Sequence, residues 1–86
     1  MNNPIVQLRK RLGFSPLDFA TLLGISQTTI YSVENGVPRN PRAVFEAIGD
    51  KNLVMDMKKL KEDYRIWWKG KEDRKRDSLI SRINHQ

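Results

Sequence analysis

At 86 residues the chain holds one small domain with room for an extension, too little for the large cleft that most enzymes need. Lys and Arg total 16 against 10 Asp and Glu, a formal net charge of +6 that suits a polyanion binder but does not by itself separate a nucleic-acid binder from a solvated basic surface. With no cysteine, disulfides and thiolate metal sites are excluded, and helix packing has to supply the stability.

Ile5, Leu8 and Leu12 recur at helical spacing and Gly13 stands where a C-terminus would fall, so a first helix is expected here. Ser15 followed by Pro16 is a helix start: the hydroxyl accepts from a free amide, and Pro fits the first helical position, whose amide has no partner. The second helix carries Leu17 to Leu23 and ends on Gly24, a residue that tolerates a left-handed backbone. Ser26 caps a third helix that runs through Thr29, Ile30 and Val33 to Asn35, where Asn35 and Gly36 stop it. After the loop VPRNPR, Pro41 opens a fourth helix over Arg42 to Ile48, and Gly49 and Asp50 are expected to break it.

Leu53, Met57, Leu60, Tyr64 and Trp67 then recur at spacings of four, three, four and three, a heptad-like seam on a long amphipathic helix that Gly70 is expected to end or bend. The run KEDRKRD follows, with Leu79, Ile80 and Ile83 on a last short helix. No strand period, internal repeat or glycine-rich phosphate loop interrupts this pattern, so the fold class is all-α: a helical domain over residues 1–49 and an amphipathic helical extension over residues 50–86.

The stretch PLDFATLLGISQTTIYSVEN is the most specific signal. Two helices meeting at a sharp angle need a small residue at their closest approach, a glycine at the turn and apolar residues aimed into a shared core. Ala20, Gly24 and the set Phe19, Leu23, Ile25, Ile30 and Val33 supply these, and Phe14 and Phe45 are further core residues. Left on the outside of the third helix are Gln27, Thr28, Thr29, Tyr31 and Ser32, whose amide and hydroxyl groups can hydrogen-bond base edges while Thr methyls meet thymine methyls.

These residues resemble the helix-turn-helix domain of the Cro and lambda-repressor type, also called the xenobiotic-response-element (XRE) family. LRKRLGFSPLDFATLLGISQTTIYSVENG carries the likeness, which spans Ile5 to Ile48. It implies a bundle of four or five helices whose third lies in the major groove of double-stranded DNA. Carried over by position, Gln27, Thr28 and Ser32 would contact bases, with Thr29 and Tyr31 as neighbours able to reach bases or backbone. Asn35, Arg39, Asn40 and Arg42 would touch phosphates, with Lys10 of the first helix as a further contact. Arg9 and Glu34 match a buried structural salt bridge. The chain departs at Pro16, where many relatives carry a Gln that touches phosphate; the Ser15 hydroxyl or free amides of the second helix would substitute.

The resemblance implies a transcription regulator, a repressor of phage or mobile-element type that binds a palindromic operator as a homodimer. The alternative is an antitoxin or other regulator whose C-terminal helix binds a partner protein. For the seam of Leu53, Met57, Leu60, Tyr64 and Trp67, with Trp68 beside it, three readings stand open: packing back on the domain, pairing with a second copy, or receiving a partner. The basic run Lys69, Lys71, Arg74, Lys75 and Arg76 reads as a solvated face first and a DNA-backbone contact second. The single histidine, His85, has no ligand-spaced companion, so neither metal nor other cofactor is expected, and no nucleophile with its base suggests catalysis. Without a leader-like or membrane-spanning apolar run, the expectation is a cytoplasmic, nucleoid-associated protein with no membrane partner.

Overall fold

The computed structural model describes residues 2–84, so His85 lies outside the described residues. Five helices follow in chain order: α1 (Pro4–Arg11), α2 (Pro16–Leu23), α3 (Gln27–Glu34), α4 (Arg42–Asp50) and α5 (Met57–Asn84). Local chemistry opens each of the first three. Asn3 caps α1 by accepting from the Ile5 amide at 2.9 Å, with Pro4 in the first position. Ser15 accepts from Asp18 at 3.1 Å to cap α2, and Ser26 from Thr29 at 3.2 Å to cap α3. At eight residues each, these helices are too short to persist in water alone, so their stability rests on a common core.

That core is built from one face of every helix. Ile5 and Leu8 of α1, Phe19, Ala20 and Leu23 of α2, Ile30 and Val33 of α3, and Val44, Phe45 and Ile48 of α4 are buried together. Leu60 and Tyr64 of α5 complete the same cluster, with Phe45 and Tyr64 meeting edge to face at 5.7 Å. Phe14 and Ile25 pack against it half-buried, whereas Leu12, at the cap of α1, is exposed.

Three expectations are corrected. α4 continues through Gly49 and Asp50, and the chain turns two residues later, around Asn52, whose φ of 54° falls in the region that Asn tolerates better than most side chains. Leu53 precedes α5 instead of lying on it; α5 begins after Asp56, whose carboxylate accepts from the Lys59 amide at 3.0 Å. Gly70 neither ends nor visibly interrupts α5, which runs unbroken for 28 residues. A helical glycine costs only about 1 kcal/mol relative to alanine, and pairs from Asp73 to Lys69 and Arg76 support the turns that follow. KEDRKRD is therefore helical, and Leu79, Ile80 and Ile83 ride the same helix.

The sequence leaves the seam open between three readings. Of its three readings, packing back on the domain describes it: Leu60 and Tyr64 are core, and Met57, Trp67 and Trp68 lie half-buried against it. Four short helices leave one side of their core open, and α5 closes it, so Leu60 and Tyr64 are not presented to a second copy or partner. Beyond Trp68 the helix leaves the domain as an arm, which accounts for a longest dimension of 50 Å against 24 and 21 Å in the other two directions.

Candidate nucleic-acid interface

The turn between α2 and α3 sets the geometry of the site. Gly24 adopts φ 67° and its amide donates back to Ala20 and Thr21, ending α2 so that Ile25 and Ser26 redirect the chain into α3. Ala20, buried where α2 meets α3, lets the two approach closely. Ile30 and Val33 hold α3 by its inner face, leaving Gln27, Thr28, Tyr31 and Ser32 on the outer side.

Gln27 and Tyr31, one turn apart, are joined: the amide nitrogen donates to the phenol oxygen at 3.0 Å. This leaves Gln27 one further N–H and its carbonyl oxygen, the pair needed to grip an adenine, in a side chain already held in place. Thr28, Thr29 and Ser32 line a shallow depression together with Val37, Pro38, Pro41 and Arg42. Expected base contacts and an expected phosphate contact thus come together on one surface. Thr29 is partly committed elsewhere, its hydroxyl lying 2.8 Å from that of Ser26.

Asn35 caps α3 and its side chain donates to the Tyr31 carbonyl at 2.9 Å. Arg39 lies over the Trp68 ring, its guanidinium carbon 5.7 Å from the centroid. Asn40 is exposed, and Arg42 opens α4, which has no side-chain cap at its N-terminus. Ser15, capping α2 through its oxygen, keeps its own O–H to donate. Lys10 is exposed in the last turn of α1.

Arg9 and Glu34 form a two-pronged pair, both N–H···O distances 3.0 Å, with side chains only 11% and 13% exposed. A further Arg9 nitrogen donates to the Phe14 carbonyl at 2.8 Å, so the guanidinium ties α1, the α1–α2 turn and α3 together. Asn3 adds a second tie, donating to the carbonyls of Val33 and Glu34 at 3.0 and 3.2 Å. Both fasten the last turn of α3 to the body.

A family model described as Helix-turn-helix matches residues 5–43, from α1 to the start of α4. This segment belongs to the helix-turn-helix family of the Cro and lambda-repressor (XRE) type. It is a DNA-binding module of transcription regulators. α5 lies outside the matched residues. No curated protein and no solved structure matched the chain. Among the described residues, no helix is long and apolar enough to cross a membrane.

Sequence reasoning passed over three features of the helix-turn-helix surface. Asn3 before Pro4 repeats the Ser15–Pro16 signal and was legible; its reach to α3 was not. Val37 stands 72% exposed beside Ser32, although an apolar residue in a loop ordinarily reads as core. The brace behind the loop after α3 is the third. Trp68 donates its indole N–H to the Gly36 carbonyl at 3.0 Å, Lys71 donates to the Asn35 carbonyl, and the Tyr64 hydroxyl donates to Pro38 at 2.7 Å. α5 thereby holds the segment carrying Asn35 and Arg39 in one conformation.

Proposed function

We propose that this protein regulates transcription as a homodimer on a palindromic operator, occupying promoter DNA in the manner of a phage or mobile-element repressor. The observation that carries this reading is the shared surface on which Thr28, Ser32 and Arg42 line one depression beside the Gln27–Tyr31 pair. With α3 in the major groove, Gln27 is placed for the two-bond grip on adenine, Thr28 and Ser32 for neighbouring base edges, and Thr29 and Tyr31 for base or sugar contacts. Arg42 borders that face, and Arg39, Asn40, Asn35, Ser15 and Lys10 are assigned contacts to phosphate, which position the protein without reading sequence.

Dimerisation follows from reach. Eight residues of α3 span only about 12 Å and read a few base pairs, so two copies on symmetric half-sites are needed to multiply the specificity. Exposed Leu79, Ile80 and Ile83 on the arm of α5 favour a second reading, an antitoxin-like regulator that also holds a partner protein; it requires a second polypeptide in the purified complex.

Selection of bound sequences from random duplex DNA tests the proposal. The expected result is a palindromic site at which Gln27→Ala relaxes one position in each half, by roughly 1 to 3 kcal/mol. Arg42→Ala should weaken all sequences alike and make the salt dependence shallower by about one unit of slope per bound protomer. A pool that shows no enriched sequence overturns the operator-binding reading.

A further inference from the structure

The inward face of α5 changes chemistry at Gly70. Up to that point it is apolar, with Leu60 and Tyr64 in the core and Trp67 and Trp68 packed against it. Continued at steps of three and four residues, the same face carries Lys71, Lys75, Ser78 and Arg82, with Arg74 at its edge. The first two steps are visible in the structure: Lys71 reaches the Asn35 carbonyl, and Lys75 lines a cleft with Gly36, Val37, Trp68, Lys71 and Glu72.

The arm sorts its charges. On the outer side Asp73 pairs with Lys69 at 3.5 Å and with Arg76 at 3.0 Å. Lys71, Arg74, Lys75 and Arg82 form no ion pair among the described residues. Lys71 and Lys75 stand one turn apart, an arrangement of like charges that disfavours an isolated helix and that a polyanion alongside would reverse.

We propose that this stripe of Lys71, Lys75 and Arg82, flanked by Arg74, follows the sugar-phosphate backbone of the duplex that α3 enters, extending the footprint beyond the helix-turn-helix domain. The inference rests on the DNA-binding reading, and continuity supports it: Lys71 sits at the C-terminal cap of α3, bonded to the Asn35 carbonyl. From Lys71 to Arg82 the helix rises about 16 Å, a length over which one DNA strand presents about five phosphates.

Two double variants with equal loss of charge separate this role from a general effect of basicity: Lys75→Gln with Arg82→Gln on the inward face, and Lys69→Gln with Arg76→Gln on the outward face. All four positions are exposed, and equal helicity by circular dichroism verifies the fold. Affinity for one duplex carrying the selected site is measured across a salt series. The inward pair should lower affinity and make the slope of log K against log salt shallower by about 2 per bound protomer, at about 0.9 per phosphate, and so by about 4 for a dimer, without changing base preference; the outward pair should leave the slope as it is. Equal slopes in the two double variants, or an inward variant matching the wild type, overturn the proposal. A wild-type chain that binds no duplex instead overturns the DNA-binding reading on which it rests.

Discussion

Gly36 shows how one residue links α3 to α5. Its φ of 72° lies in the left-handed region, and a Cβ there would stand 2.7 Å from the Trp67 ring. Gly24, at φ 67° in the turn between α2 and α3, has nothing within 4 Å of the same added atom. Alanine at Gly24 therefore meets backbone strain alone, roughly 1 to 2 kcal/mol, whereas alanine at Gly36 must also displace an indole braced by Tyr64 at 5.6 Å. In thermal melts, Gly24→Ala should lower Tm by about 5 °C and Gly36→Ala by about twice that, with a red shift in tryptophan emission only for the latter. Equal losses would show that Trp67 yields freely and that the brace is loose.

At the scale of elements, α5 is held by Tyr64, which is 1% exposed, set edge to face against Phe45 and bonded to Pro38. Burial pushes its phenol up to about 12, from about 10 in an unfolded chain. The folded state thus holds the proton more tightly than the unfolded one. The stability this supplies is complete below about pH 10 and is lost as the pH rises through about 12, on the order of 2 kcal/mol over that window. Tyr64→Phe has nothing to titrate at this position, so denaturant unfolding of the two proteins should show the wild-type advantage shrinking between about pH 10 and 12. An advantage independent of pH would mean that the phenolate is solvated in the fold. On the exposed side of the same helix, Glu62 holds its carboxyl below the usual range through the Arg65 guanidinium, and Asp63 raises Lys59; these are surface pairs of small energetic weight.

For the whole molecule, α5 is both a wall of the core and an arm outside it. A chain cut after Glu72 keeps Leu60, Tyr64 and the Trp68–Gly36 bond, and should melt within a few degrees of the full chain while its DNA binding becomes less salt-dependent. Cutting after Asp56 removes two buried side chains that close the core and should abolish the cooperative thermal transition, since losing even one large core side chain commonly costs about 2 to 5 kcal/mol. Circular dichroism melts of both truncations check this. A shorter chain that still melted cooperatively would show that α1 to α4 stand alone.

Much of this was readable from residues within a few positions of one another. Ser15 with Pro16, Gly24, Ser26 and the apolar spacing around them act locally, so the first three helices and the turn between α2 and α3 could be placed from the chain alone. The polar outer face of α3 was legible for the same reason, as the complement of its apolar one. The destination of the Leu60–Tyr64 seam was not, because an apolar stripe looks the same whether it meets its own domain, a second copy or a partner. Which of these occurs depends on the side of the core that four distant helices leave uncovered, and only their packing decides it. Tertiary context likewise carried α4 past Gly49 and α5 past Gly70, set Asn3 against the end of α3, and brought Trp68 and Lys71 to the carbonyls at the end of α3. Local signals chose the helices, and the shared demand to bury apolar surface and satisfy buried polar groups chose how they meet.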